Sequence, residues 1–201
     1  MPSWTLGNAD ELAAEFKYTF YKPGPEIIGK IAAGDVVKLI FRFESDDPEA
    51  PAAERMWVEV DEVTGDGGFR GRLTNLPKHI KNLKPDDTVE FRACHIISTP
   101  HDDDDNIVER YIKRCFVTNR VMKDGRPVGY IYREVPDGEE DSGWRITAND
   151  ESEEYMDDAK NFAYVSLGAV LNKDDGFVDL LDSPEGSAFA LDPQTGQFVP
   201  V

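Results

Sequence analysis

The stretch RMWVEVDEV, residues 55–63, decides the fold of the first half of the chain. Its apolar residues fall at every second position from Met56 to Val60, and Trp57 lies with acidic residues on the other side. That alternation is typical of a strand that buries one face. The turn sequence GDGG, residues 65–68, follows, and FRGRL, residues 69–73, resumes the strand pattern. We therefore expect a β-hairpin here.

Working outward, β-branched and aromatic residues predict further strands at 36–43 and 88–97. Before them, residues 9–20 begin with two acids and carry apolar residues at a spacing of four, which predicts a helix. This first half is expected to be a small β-rich unit, in the form of a partly open barrel.

The second half predicts hairpins and short helices. Asp124-Gly125 indicates a tight turn between two strands that would pair as a hairpin. The remaining predicted elements are strands at 115–122 and 127–133, short helices at 167–171 and 177–181, and a final hairpin over 186–199.

Four adjacent carboxylates, Asp102–Asp105, indicate a boundary, because they repel one another and cannot enter a core. We expect an N-terminal domain at 1–100, an acidic linker at 101–106 and a C-terminal domain at 107–201. The predicted fold class is α+β, with two small domains of mainly antiparallel β-sheet and short helices.

The net charge of −18 restricts the partners. Nucleic acid and anionic membranes are unlikely partners, since both require clustered Lys and Arg. More than half of the acidic residues follow Pro100, and this charge favours a basic protein or a cation. The N-terminus from Met1 has no basic start followed by an apolar run, so we expect a cytoplasmic protein.

Cysteine usage and motif spacing give no cofactor, metal or catalytic site. Cys94 and Cys115 are expected to be reduced and inert, and a site of Cys94 with two nearby histidines lacks a second ligand pair. The run 102–106 opens like a calcium loop, but Ile107 stands where that loop needs glycine, which leaves loose divalent binding as the weaker alternative. The glycines around Gly67 lack the third glycine of a dinucleotide loop. We expect a non-enzymatic protein.

The stretch from Glu134 to Asp158 carries eleven acidic residues around a single base, Arg145. It contains Trp144, for which two alternatives stay open: a core residue with Arg145 paired to a local acid, or an exposed hot spot on a basic partner. Trp57, on the polar side of its strand, is expected to be partly exposed. The candidate partner-binding residues are Asp141, Ser142, Trp144, Arg145, Glu151, Glu153, Glu154 and Trp57.

Two segments resemble known bacterial families. The C-terminal part, 115–199, resembles immunity protein family 33 of polymorphic toxin systems. Its matching elements are VGYIYRE at 128–134, DSGWR at 141–145, Asp150 to Tyr155, LLDSP at 180–184 and GSAF at 186–189. The N-terminal part, 34–97, is similar to the family of unknown function numbered 2314. Its matching elements are VKLIF at 37–41, ERMWV at 54–58, GRLTNLP at 71–77 and DTVEF at 87–91.

The first resemblance implies a protein that binds and blocks a toxin made by the cell or its kin. The acidic charge suits that role, because an acidic inhibitor attracts a basic toxin over a distance. The alternative is a housekeeping protein that binds a small ligand or a divalent cation, and a third possibility is an enzyme with a carboxylate site. The sequence leaves the oligomeric state open.

Overall fold

The structure, a computed structural model, describes residues 4–45, 47 and 49–201, and it contains two compact units. The first unit comprises the residues up to Glu15 together with Phe20–Asp104. The second comprises Phe16–Thr19 and Asp105–Val201, so the boundary falls inside the acidic run. The expectation of a cytoplasmic protein is based on the N-terminus from Met1, and Met1 lies outside the described residues.

In its described residues, the first unit is a sheet of six strands with two short helices. The strands are β1 (Trp4–Leu6), β2 (Val36–Phe43), β3 (Ala53–Val63), β4 (Phe69–Leu73), β5 (Thr88–Phe91) and β6 (Ile96–Ser98), and the helices are α1 (Ala9–Glu15) and α2 (Pro25–Ile28).

The predicted hairpin is confirmed, since β3 pairs antiparallel with β4. Met56, Val58 and Val60 lie in the core, while the alternate residues of β3 are half-buried or exposed. Gly71 in β4 has to be glycine, because a Cβ there would lie 2.2 Å from the carbonyl oxygen of Glu59 on the neighbouring strand. The alternation read from the sequence therefore defines the buried face of this sheet.

The expected single strand at 88–97 is wrong in its middle. A 3₁₀ turn, Ala93–His95, separates β5 from β6, and β6 pairs with β2 while β5 pairs with β4. Strands β5 and β6 are joined by this short turn, yet they pair with β4 and β2, which lie at the two ends of the order β2-β3-β4. Such pairing is possible only if the sheet curves strongly. The result is a half-barrel, which confirms the expected partly open barrel.

The predicted N-terminal helix at 9–20 is too long. Helix α1 ends at Glu15, and Leu12 packs with Phe20 against a small core cluster, whereas Phe16 is exposed. The spacing of four therefore marks a buried stripe over only part of its length.

The second unit has six strands and four short helices. The strands are β7 (Arg114–Thr118), β8 (Tyr130–Arg133), β9 (Asp141–Thr147), β10 (Phe162–Ser166), β11 (Ala188–Asp192) and β12 (Gln197–Pro200). The helices are α3 (Ile107–Arg110), α4 (Asn119–Met122), α5 (Glu153–Met156) and α6 (Leu167–Leu171).

The strand order of this sheet is β10-β7-β9-β8-β11-β12. The predicted hairpin around Asp124-Gly125 is wrong, because β9 lies between β7 and β8 and pairs with both. The segment predicted as a strand to Met122 ends at Thr118 and continues as α4. Strands β7 and β9 pair in parallel, which is an exception among the described strands of a mainly antiparallel sheet. The predicted α+β fold class is confirmed.

One face of the second sheet forms the core of its unit, which includes Trp144, Ile146, Val117 and Phe177. The predicted short helix at 167–171 and the final hairpin of β11 and β12 are both confirmed. Among the described residues, no helix has the length and apolar character needed to cross a membrane.

The segment Phe16–Thr19 is an integral part of the second unit. Tyr18 is buried in its core, its backbone N–H donates to the Asn172 side chain at 2.9 Å, and its hydroxyl donates to Asp175 at 2.8 Å. Gly168 lies so close that a Cβ there would be 2.3 Å from the Tyr18 carbonyl oxygen. Residues far earlier in the chain thus complete this core.

Candidate protein-binding face

The motif Asp141-Ser142-Gly143-Trp144-Arg145 forms most of β9, and every residue of that strand is buried. Trp144 is only 1% exposed and belongs to the hydrophobic core. Its indole Nε1–H donates to the carbonyl oxygen of Leu181 at 3.3 Å. Of the two alternatives left open for Trp144, the structure has the core one, in which the apolar ring fills the interior and the indole N–H is satisfied.

Arg145 points to the other face of β9 and is held by carboxylates. Its Nη1 and Nη2 donate to the two Asp141 oxygens at 3.0 Å each, and Nε donates to Glu134 at 2.8 Å. The hydrogen bonds from this arginine, with those from the backbone N–H groups of Asp137 and Gly143, outweigh burial and lower the pKa of Asp141 to about 2. The pairing expected of Arg145 with a local acid is present.

Ser142 and Gly143 shape the strand around this ion pair. Ser142 is buried and its hydroxyl donates to the carbonyl oxygen of Arg114 at 2.7 Å. Gly143 has φ of +80°, and a Cβ there would lie 2.3 Å from the carbonyl oxygen of Glu134. Asp141, Ser142 and Trp144 are thus fold-forming residues and offer no accessible contact surface to a partner.

A row of aromatic side chains crosses the face of the sheet that is turned away from the core. The register places Tyr164 opposite Phe116, Phe116 opposite Arg145, and Arg145 opposite Tyr132. The Arg145 guanidinium lies 5.1 Å from the Phe116 ring centre, and that ring is 4.7 Å from the ring of Tyr164. We call these four residues the aromatic row.

The aromatic row is accessible at its β10 end. Phe116 is 38% exposed and Tyr164 is 36% exposed, whereas Tyr132 is half-buried. Exposed aromatic rings beside a fixed arginine are the side chains that protein interfaces use most for affinity.

An acidic loop, residues 134–140, borders the aromatic row. Its four acids, Glu134, Asp137, Glu139 and Glu140, are all exposed. Because Arg145 binds Glu134 and Asp141 at either end of the loop, the buried ion pair fixes the loop beside the row. The buried motif thus supports a surface of acids and aromatic rings.

A cleft of about 760 Å³ lies between the acidic loop and the exposed end of the row. Its lining includes Ile112, Arg114, Glu139, Glu140 and Tyr164. Ile112 is 54% exposed. The cleft therefore combines an apolar wall with carboxylates at its rim.

The other predicted contacts in this unit lie elsewhere. Glu151 is half-buried and its carboxylate accepts from the backbone N–H groups of Ala148 and Asp150, so it stabilises the turn after β9. Glu153 and Glu154 are exposed on α5, beyond the carboxyl end of β9, whereas the acidic loop precedes its amino end. The structure does not bring these two groups of acids together, because a seven-residue strand separates them.

Trp57 belongs to the first unit and is exposed there, as expected. The Lys38 ammonium lies 4.8 Å from its ring centre. The neighbouring loop holds the strand, since the Trp57 N–H donates to the Asn75 side chain at 2.8 Å. Leu76, next in that loop, is exposed as well.

The cysteines and the acidic run have structural surroundings. Cys115 is buried, and burial raises the pKa of its thiol to about 12, so it is inert. Asp102 accepts from the backbone and the hydroxyl of Thr99, and Asn106 caps α3. Among the described residues, no group of three or more His, Cys, Asp and Glu side chains could hold a metal ion.

The structure thus defines a protein of two β-rich units, of which the second presents an acidic and aromatic face. The chain belongs to the family described as uncharacterized protein conserved in bacteria (DUF2314), whose model matches residues 3–103, half of its length. Residues 115–201 match the immunity protein Imm33 domain. Both resemblances stated from the sequence are confirmed.

No curated protein and no solved structure matches the chain at a significant level. The Imm33 match supports an immunity-protein-like role and does not favour a housekeeping protein that binds a small ligand or a cation.

Sequence reasoning missed the aromatic row and the cleft. The alternation of Arg114, Cys115, Phe116 and Val117 could have shown that Phe116 faces away from the core. It could not show that Tyr164 lies opposite, because that pairing depends on which distant strands become neighbours.

Proposed function

We propose that this chain is a non-enzymatic immunity-type protein, which binds a basic protein toxin in the cytoplasm and blocks it. The observation that carries the proposal is the Imm33 match over residues 115–201, in a unit with an accessible acidic and aromatic face. In this proposal the chain acts by occupying a surface that the toxin needs, and no chemistry is required of it.

Charge supports a basic partner. The chain has 40 acidic and 22 basic residues, and the exposed acids of the acidic loop lie next to the aromatic rings. A surface of one sign accelerates association with a partner of the opposite sign, and that acceleration weakens as salt screens the charges. Binding is therefore expected to be fast at low salt and slower at high salt.

The proposal keeps only the accessible contacts among those predicted from the sequence. Glu153, Glu154 and Trp57 are exposed and stay as candidate contacts. Arg145 stays as the residue that positions the acidic loop, because its guanidinium is engaged by Asp141 and by Glu134. The buried residues of β9 support the face from below.

The first test is protection in competition. A strain that lacks the chain is grown with its parent, and it is expected to be killed unless the wild-type chain is returned on a plasmid. Tagged wild-type chain is then used to capture proteins from the same strain at low and high salt. A basic protein released by salt, whose toxicity in a test host is relieved by the chain, is the expected result.

The control uses two exposed carboxylates of the first unit. Glu44→Gln with Glu49→Gln removes two negative charges from the first unit and none from the acidic loop, and it is expected to protect as well as wild type. Equal survival of the deletion strain and its parent, together with no protein captured reproducibly, would refute the proposal.

A further inference from the structure

The cleft beside Tyr164 has walls as well as charge. Ile112, Val165 and Ala169 contribute an apolar side, and Tyr164 contributes an aromatic face. A flat acidic surface attracts a cation without orienting it, whereas an open cleft of about 760 Å³ can contact a side chain on more than one side.

Two carboxylates stand at the rim of this cleft. Glu140 is 82% exposed and its distance to the Arg114 guanidinium is 3.8 Å, which is long for an ion pair. No hydrogen bond or ion pair engages the Glu139 carboxylate among the described residues. Each carboxylate can accept several hydrogen bonds, so both retain capacity for an incoming donor.

The same face already shows how it holds guanidinium groups. The Arg114 guanidinium lies 5.5 Å from the Tyr164 ring centre, and the Arg145 guanidinium lies 5.1 Å from that of Phe116. Arg145 also donates two hydrogen bonds to Asp141, so on this face one planar cation already lies over an aromatic ring while a carboxylate engages it.

Resting on the proposed function, we infer that this cleft receives an arginine side chain of the basic partner protein. The aliphatic stem packs against Ile112 and Val165, and the guanidinium donates to Glu139 and Glu140 beside the Tyr164 ring. An arginine suits both the apolar wall and the acidic rim, whereas a wholly apolar side chain would leave the rim carboxylates without a donor.

The cleft is also lined by basic residues, which offset part of the negative charge of its carboxylates. Lys113 and Arg114 contribute to the lining, and Arg114 faces Glu140. Glu134 and Asp137 of the acidic loop lie near the guanidinium of Arg145 and not near Arg114. Glu139 is therefore the carboxylate at this rim with the most capacity for a partner cation.

The test uses a defined probe on the full chain. ¹⁵N-labelled protein is titrated with the blocked peptide acetyl-Gly-Arg-Gly-amide and, in parallel, with the same peptide carrying citrulline, which has the shape of arginine without its charge. We expect saturable shifts of the amide signals of residues 112–116, 139–140 and 164–166 with the arginine peptide. Affinity is expected to be about tenfold weaker for citrulline, since the charge-assisted hydrogen bonds are lost.

Variants separate the cleft from general charge. Glu139→Gln with Glu140→Gln is expected to weaken the arginine peptide by about tenfold, whereas Glu44→Gln with Glu49→Gln leaves its affinity unchanged. Tyr164→Ala is expected to weaken it, and Tyr164→Phe, which keeps the ring, retains it.

Three results would overturn the inference: no localised shifts, equal binding of the citrulline peptide, or equal binding by the Glu139 and Glu140 double variant. Shifts of the same amides on dilution of the protein alone would assign the cleft to a second copy of this chain instead. If the peptide titration fails while the chain still protects in the competition assay, the inference about the cleft is wrong and the proposed immunity function stands. The two failures are therefore distinguishable.

Discussion

Replacing Asp141 with Asn removes the charge that faces Arg145 inside β9, and it is expected to destabilise the second unit without changing its shape. The Asp141 side chain is almost fully buried and accepts from both Nη atoms of Arg145 at 3.0 Å. The amide of Asn is nearly the same size, so the change isolates the charge from packing.

The magnitude follows from the shift of the pKa. The pKa of Asp141 is lowered from 3.8 to about 2, and one pKa unit corresponds to about 1.4 kcal/mol. The ion pair and its hydrogen bonds thus contribute about 2.5 kcal/mol at neutral pH. Asp141→Asn is expected to lose about 2 to 3 kcal/mol, because Arg145 keeps Glu134 as a partner and is not left wholly unpaired.

The sign of the pH dependence is fixed by the direction of the shift. Since the folded-state pKa of Asp141 lies below its unfolded value of 3.8, its contribution is fully present above about pH 5 and is lost as the pH falls toward about 2. The difference in unfolding free energy between wild type and Asp141→Asn should therefore be constant near neutrality and shrink in acid.

The assay is urea unfolding followed by the fluorescence of Trp144, in a background where Trp4 and Trp57 are replaced by Phe. Trp144 then reports the core of the second unit alone. Asp157→Asn is the matched control, because it removes one exposed carboxylate and is expected to change stability by less than about 0.5 kcal/mol. A loss below that size for Asp141→Asn, or a loss that does not shrink in acid, would refute the reasoning.

Two substitutions and one labelling experiment test other features of the structure. Gly143→Ala should cost at least about 2 kcal/mol in urea unfolding, since the added Cβ meets a carbonyl oxygen at 2.3 Å, while Gly138→Ala, where nothing lies within 4 Å, should cost little. Cys115 is buried and its thiol pKa is raised to about 12, so it should resist iodoacetamide in the native protein while Cys94 reacts faster. Peptide mass spectrometry measures both rates, and equal rates would contradict the burial of Cys115. Tyr18→Phe removes the hydroxyl that donates to a carboxylate at 2.8 Å and should cost about 1 kcal/mol in the same unfolding assay; no loss would show that this contact is not stabilising.

Strands β2, β3 and β4 of the first sheet could be predicted from the sequence because their signals are local. The alternation in β3 and the glycine-rich turn after it define a hairpin whose partners are adjacent in the chain. Strand β2 has the predicted bounds for a similar reason, since its β-branched and aromatic residues form one continuous run.

The second sheet could not be predicted in full because its pairing is not local. Asp124-Gly125 does mark a turn, but the strands on either side of it are separated by β9, which comes later in the chain. A turn signal indicates where the chain reverses and does not indicate which strand becomes the neighbour.

The acidic stretch from Glu134 to Asp158 contains a buried carboxylate, which its composition does not indicate. A run rich in carboxylates is expected to be solvated, yet Asp141 is buried because Arg145 and two backbone N–H groups compensate its charge. The sequence did offer the core position of Trp144, with Arg145 paired to a local acid, as one of two alternatives. What it could not offer was the surface that the buried motif supports, because Phe116 and Tyr164 meet only across paired strands.

The central claim is that the chain protects its host by binding a basic toxin, and competition between a deletion strain and its parent tests it most directly. The account predicts that the deletion strain is killed, that wild-type chain restores survival, and that Glu44→Gln with Glu49→Gln restores it equally well. Survival of the deletion strain at the level of its parent, in the absence of any plasmid, would contradict the account.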